Sequence, residues 1–117
     1  MKRRDDTGRL EDMLEAASSA VDAIKDRSVE DLESDRIWAL GLVKSLEIVG
    51  EAAARLGEDT RSRYPEIPWQ EIIGMRNRLV HTYFDIDNEQ VWRTLTEDLP
   101  ALIEALVRAL DRKGAGR

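Results

Sequence analysis

The sequence predicts an all-α fold, an up-and-down bundle of four main helices joined by short helical turns. Apolar residues recur every three or four positions through most of the chain, which is the spacing of one helix face. Aromatic residues make up only 5% of the chain, and glycine and proline are too few for a β-sandwich or a disordered chain. The 117 residues suffice for one hydrophobic core, so we expect a single domain over residues 1–117. Residues 112–117, rich in glycine and charge, are expected to form a flexible tail.

The composition also excludes several classes of protein. Acidic residues outnumber basic ones by 24 to 18, and the net charge of -6 argues against broad nucleic-acid binding, so no DNA binding is expected. The chain has no cysteine, which excludes disulfides, a thiolate nucleophile and a zinc ribbon and favours a cytoplasmic protein. No stretch approaches the roughly 18 apolar residues that cross a bilayer, and the basic N-terminus leads into charged residues instead of a signal sequence.

Two helices are predicted in the first half of the chain. The first spans about residues 8–27, and a short turn capped by Ser28 follows it. The second spans residues 36–56 and carries apolar residues around most of its circumference. A helix of this kind buries more than one face, one in its own bundle and one against a second copy, so we expect a two-fold dimer.

Two further helices are predicted in the second half. One starts at Pro68 and turns Trp69, Ile72, Ile73, Leu79 and Val80 inward. The last is capped by Asp87 with Gln90 in a capping box, and Pro100 is expected to kink it.

Residues 72–85 gather the only histidine of the chain, two arginines and a tyrosine. On an ideal helix Asn77 and His81 share one face, while Arg76 and Tyr83 align on an adjacent strip. A two-fold dimer would bring two copies of this set into one cleft.

Such a set suits the cleavage of RNA. A histidine titrates near neutral pH, so His81 can take a proton from a ribose 2′-hydroxyl or give one to the leaving 5′-oxygen. Arg76 offers a permanently charged fork to the phosphate. Tyr83 can stack on a base, and Asn77 can orient His81 or the phosphate. This route needs neither a metal nor a cofactor.

Structural roles for the same residues are the alternative. A single histidine on a helix is more often a surface or core group than a catalytic one, and Arg76 can form a structural ion pair with Glu47 or Glu51. Glu51 itself either orients Arg76 or belongs to a solvated stripe. Tyr83 can equally be a core aromatic residue.

The stretch Arg76-Asn-Arg-Leu-Val-His-Thr-Tyr83 resembles the Arg-x4-His-x-Tyr motif of the HEPN superfamily, and more narrowly its HepT toxin branch. The likeness covers nearly everything from residue 35 to residue 106. Further matching segments are Leu46-Glu-Ile-Val-Gly-Glu-Ala-Ala53, Arg63-Tyr-Pro-Glu-Ile-Pro-Trp69, Ile73-Gly-Met-Arg-Asn77 and the stretch from Trp92 to Leu106.

This resemblance implies a HEPN-like dimer that acts as a metal-independent endoribonuclease, with its cleft between the subunits and with RNA as substrate. Arg76 and His81 carry over as catalytic residues, and Asn77 fits the polar position after the arginine. The resemblance further implies a type VII toxin-antitoxin system. In such a system a minimal nucleotidyltransferase antitoxin silences the toxin by transferring AMP from ATP to the motif tyrosine, here Tyr83.

Candidates for a positive rim that binds RNA are Arg55, Arg61, Arg63 and Arg78. Two other functions stay open. The chain could be a non-catalytic nucleotide-binding or adaptor subunit of a nucleotidyltransferase complex, or it could serve only as a substrate or regulator that is modified at Tyr83.

Overall fold

The computed structural model describes the backbone of residues 5–82 and 85–115 and the side chains of residues 5–81 and 85–111. Tyr83, the predicted AMP acceptor, lies outside the described residues, and so do the side chains of the predicted tail. In chain order the elements are α1 (Asp6–Ala23), α2 (Asp31–Ser34), α3 (Arg36–Arg55), α4 (Glu58–Arg63), α5 (Trp69–Ile73), α6 (Met75–Leu79), β1 (Val80–Thr82), β2 (Asp85–Ile86), α7 (Asn88–Arg93), a π-helical turn (Thr94–Asp98) and α8 (Leu99–Ala115).

The predicted all-α class is confirmed, with a short hairpin of two strands as the addition. The core lies where α1 packs along α3 and against α8, while α3 also packs against α5 and α6. These contacts bury leucines from every long helix, including Leu10, Leu46 and Leu106, to 1% exposure or less. Among the described residues, no helix is both long enough and apolar enough to cross a membrane.

The helices of the first half begin and end close to the predicted positions, with local exceptions. The N-cap of α1 is Asp5, whose Oδ1 accepts a hydrogen bond from the Gly8 N–H at 2.7 Å, and the helix ends earlier than predicted. The helical turn that Ser28 was predicted to cap is α2, whose N-cap is Glu30 instead, and the Ser28 N–H donates to Asp31 Oδ2 at 2.9 Å. For α3 the predicted range 36–56 is confirmed to within one residue.

The last helical segment begins with the predicted cap and then departs from the prediction. The Gln90 N–H donates to Asp87 Oδ1 at 3.1 Å, so Asp87 is the N-cap of α7. Pro100 was expected to kink the last helix, and a π-helical turn lies immediately before α8, whose second residue is Pro100. A π turn shifts the hydrogen-bond register by one residue, which fits a position where proline supplies no N–H.

Gly50 explains how α3 comes close to the segment that carries the candidate site. A Cβ atom added to Gly50 would lie 3.1 Å from the backbone carbonyl oxygen of Ile72. This distance is shorter than ordinary van der Waals contact, so glycine allows α3 and α5 to approach closely at this point. Glu47 lies one turn before Gly50 and is thereby held beside the chain that follows α5.

Asp6 joins the start of α1 to α4 and to the loop that precedes α4. Its Oδ2 accepts hydrogen bonds from the Thr60 hydroxyl at 2.6 Å and from the Gly57 N–H at 3.1 Å, and Arg9 donates to Oδ1 at 2.9 Å. The Thr60 hydrogen bond is the largest influence and lowers the pKa of Asp6. Partial burial opposes this effect, and the bonds from Gly57 and Arg9 add to it.

We expect Asp6→Asn to reduce the free energy of unfolding at pH 7 by roughly 1–2 kcal/mol, because hydrogen bonds to an ionised group are replaced by bonds to a neutral one. The folded pKa of Asp6 is below its unfolded value, so its contribution is present above about pH 4 and is lost as the pH falls through the folded pKa. Urea unfolding of both proteins at pH 7 and pH 3 measures this. A gap between them that stays constant on acidification would contradict the assignment.

Candidate active site

The segment from Ile72 to Asp85 is not one helix, so that prediction is wrong. Gly74 separates α5 from α6, and α6 ends at Leu79. The expected helical face shared by Asn77 and His81 therefore does not exist. Arg76 and Asn77 lie on α6, while His81 lies on β1.

His81 is the extra residue of a β-bulge. In the hairpin Val80 pairs with Ile86 and Thr82 pairs with Asp85, so two steps along β1 match a single step along β2. A bulge leaves one residue unpaired and redirects its side chain, and such bulges often occur beside active sites. A sequence signal for this strand existed in the run of β-branched and aromatic residues from Val80 to Phe84, which favours extended backbone over helix.

Arg76 is held by a carboxylate of α3. Its Nε donates to Glu47 Oε1 at 2.9 Å, and the arginine side chain is 53% exposed while that of Glu47 is 25% exposed. Among the described residues Glu47 is its only ion-pair or hydrogen-bond partner. Because Glu47 binds Nε, the two terminal nitrogens can still form a fork to a phosphate. The sequence left open whether Arg76 pairs with Glu47 or with Glu51. In the structure Arg76 pairs with Glu47, and Glu51 is exposed.

His81 faces a different carboxylate. Its Nε2 lies 3.9 Å from Asp87 Oδ2, and its side chain is 53% exposed. This distance is too long for a hydrogen bond but allows an ion pair when the imidazole is protonated. Each of the two predicted catalytic side chains therefore combines access to solvent with an acidic neighbour.

The candidate RNA-binding arginines are distributed over several elements. Arg78 is exposed on α6 and lines a cavity of about 190 Å³ between α5–α6 and the π-helical turn with α8. The other charged residues of that cavity are acidic: Glu66, Glu71, Glu97 and Asp98. This environment suits a cationic ligand better than a phosphate chain, which weakens the case for Arg78 as an RNA contact.

Arg55 ends α3, and Arg61 and Arg63 lie in the last turn of α4. Within the described part of the chain, α4 is not among the helices that pack closely on α6. Arg61 and Arg63 therefore lie on a helix that does not pack closely on the helix of Arg76.

Comparison with known proteins assigns the chain to a family. The model of the family described as "Ribonuclease HepT-like" matches residues 13–109. A protein of Thermococcus cleftensis named "Probable ribonuclease HepT" is 37% identical over 93 residues, which cover 80% of this chain and 84% of the relative.

Two further relatives are named, provisionally, as RNases. One from Methanocaldococcus jannaschii is 34% identical over 102 residues, covering 87% of this chain and 94% of the relative. One from Caldanaerobacter subterraneus is 33% identical over 104 residues, covering 89% and 93%. No solved structure matches the chain significantly.

The family match places this helical domain in the class of HEPN-type ribonucleases. The chain belongs to the HepT-like ribonuclease family, since the family match spans most of its length. The prediction of an RNA-cleaving enzyme of this family is thereby confirmed.

Proposed function

We propose that this protein is the toxin of a type VII toxin-antitoxin pair, a metal-independent endoribonuclease that uses Arg76 and His81 in a cleft shared by two copies. The observation that carries this proposal is the geometry of Arg76. Glu47 holds its Nε at 2.9 Å while the side chain stays half exposed. The guanidinium is thus oriented before substrate binds, and its outer edge is available to a phosphate.

The proposed reaction is an internal displacement at phosphorus. His81 removes the proton of the ribose 2′-hydroxyl, and the 2′-oxygen attacks the adjacent phosphorus. The bond from phosphorus to the 5′-oxygen breaks, and that oxygen leaves with a proton given by an imidazolium. The products are a 2′,3′-cyclic phosphate and a 5′-hydroxyl, and Arg76 stabilises the negative charge on the phosphoryl oxygens during the step.

The two proton transfers favour a site completed by a second copy. Each chain contains one histidine, and one imidazole cannot be the base and the acid at the same moment. Two protomers related by a two-fold axis would supply one histidine for each role.

The exposed face of α3 is the surface we propose for this pairing. Ile37, Leu40 and Ile48 recur at helical spacing and are 81%, 37% and 38% exposed. Gly41 lies between them, and a Cβ added there would meet nothing within 4 Å, so a partner helix could approach closely. The same helix carries Glu47, so a dimer formed through α3 would place the second copy near Arg76.

We expect Ile37→Asp to convert the dimer to a monomer and to remove RNA cleavage with it. Burying this isoleucine in an interface contributes about 1.5–3 kcal/mol, and a buried aspartate costs more than that. The matched control is Val107→Asp, which alters an exposed apolar residue of α8. Sedimentation and a cleavage assay with a 5′-labelled oligoribonucleotide measure both effects. A monomeric variant that cleaves at the wild-type rate would exclude a shared cleft.

Regulation by the antitoxin is proposed to act at Tyr83, two residues after His81. An added AMP group would bring a phosphate and considerable bulk to the motif that the proposal assigns to RNA binding. Incubation with a cognate minimal nucleotidyltransferase and ATP should add one AMP to the wild type and none to Tyr83→Phe, as measured by mass spectrometry. An adduct that persists in Tyr83→Phe would place the modification elsewhere.

Cleavage in EDTA tests the reaction itself. The wild-type dimer should cut the labelled RNA at an undiminished rate in the chelator and leave 2′,3′-cyclic phosphate ends. Complete loss of cleavage in EDTA would exclude the metal-independent mechanism. A dimer that binds a nucleotidyltransferase but cuts no RNA under any condition would instead support the adaptor function.

A further inference from the structure

We infer that Asp87 is a positioning residue for His81, in addition to capping α7, and this inference rests on the proposed function. The sequence pattern indicates only the cap. In the structure Asp87 Oδ1 accepts the hydrogen bond from the Gln90 N–H, while Oδ2 faces the imidazole of His81 at 3.9 Å. One oxygen of the Asp87 carboxylate therefore caps α7, and the other faces the histidine of β1.

The surroundings of Asp87 restrict its movement. Its backbone N–H donates to the carbonyl oxygen of Leu79 at 2.8 Å, and Leu79 is buried and ends the helix that carries Arg76. With the backbone held by α6 and Oδ1 held by α7, the direction of Oδ2 is largely determined. An exposed ion pair between two mobile side chains contributes little, but a carboxylate held at two points loses little entropy in meeting its partner.

His81 needs such a partner because the pairing of its strand does not fix the orientation of its side chain. As the bulged residue of β1 it lies outside the regular pairing with β2, and its side chain is half exposed. A fixed carboxylate on one side of the imidazole limits the orientations of the ring and faces the positive charge that forms when His81 takes a proton. Asp87 thereby links the orientation of the base to the end of the helix that carries Arg76.

The test uses Asp87→Asn, because asparagine caps a helix about as well as aspartate but carries no charge. We expect kcat for the labelled oligoribonucleotide to fall by about tenfold to a hundredfold, as for other small misplacements of a catalytic group, while KM and the melting temperature change little. The matched control is Asp85→Asn, which removes an exposed carboxylate two residues before Asp87, on the hairpin that carries His81. We expect wild-type kinetics for this control.

A second measurement does not depend on catalysis. His81 is the only histidine, so the ring nitrogen signals of the protein report on this residue alone. They should shift in Asp87→Asn and not in Asp85→Asn. Unchanged ring signals in Asp87→Asn overturn the inference whatever the rate, and so does wild-type kcat in a folded Asp87→Asn dimer. If the wild type cuts no RNA, the proposed function fails, and the ring signals alone then decide whether Asp87 orients His81.

Discussion

Replacing His81 by alanine is expected to reduce RNA cleavage by about 10²- to 10⁴-fold, the range that a positioned general acid or base contributes. Alanine removes the imidazole from both copies of the proposed cleft, so the proton acceptor and the proton donor are lost together. The fold should be unaffected, because His81 is half exposed and its described ion-pair partner, Asp87, keeps its role as the cap of α7. Initial rates on a labelled oligoribonucleotide and a thermal melt measure these two expectations.

Two arginine variants test whether cleavage depends on the motif residues or only on positive charge that attracts RNA. Arg76→Ala is expected to lose about 10²- to 10³-fold in rate through the missing phosphate contact. Arg93→Ala removes an arginine that is 60% exposed and that also faces a glutamate, Glu97 at 3.7 Å, but it lies in the last turn of α7, outside the motif in the sequence. It should cleave like the wild type. Equal losses for Arg76→Ala and Arg93→Ala would indicate general RNA attraction, and full activity of His81→Ala would end the acid-base mechanism.

Leu46→Ala is expected to lower the free energy of unfolding by about 2–5 kcal/mol, the largest stability effect that we predict. Leu46 is 1% exposed on α3, the helix that packs against α1 as well as against α5 and α6. Truncation leaves a cavity that these neighbours can fill only in part. Since domains of this size are stable by roughly 5–15 kcal/mol, the variant should unfold at clearly lower urea concentration.

Leu40→Ala provides the comparison on the same helix. Leu40 is 37% exposed in the protomer, so its truncation should lower the unfolding free energy of one chain by much less than the truncation of Leu46 does. In a dimer formed through α3 it should instead make unfolding depend more strongly on protein concentration. Equal destabilisation by Leu46→Ala and Leu40→Ala at high dilution would mean that the assignment of core and surface along α3 is incorrect.

Periodicity predicted the long helices well because their packing follows directly from the sequence. The apolar positions of α3 recur without interruption between Ile37 and Leu56, so the helix could be located closely. Asp87 was recognised as a cap for the same reason, since capping depends on residues only three positions apart.

The motif segment was predicted less well because two structures compete for it. The apolar spacing from Trp69 to Val80 continues a helix, while the β-branched and aromatic residues from Val80 onward favour a strand. The outcome depends on contacts that are distant in sequence, namely the approach of α3 at Gly50 and the bond from Asp87 to Leu79. A local pattern contains neither of these contacts.

The sequence by itself therefore determined the all-α class through the spacing of its apolar residues, and its resemblance to the HEPN superfamily indicated the ribonuclease family and the candidate residues Arg76 and His81. Only the tertiary structure decided that Glu47 holds Arg76 and that His81 occupies a bulge opposite Asp87. The physical reason is that an ion pair or a bulge depends on which backbone segments meet in space, and Glu47 lies 29 residues before the arginine that it binds.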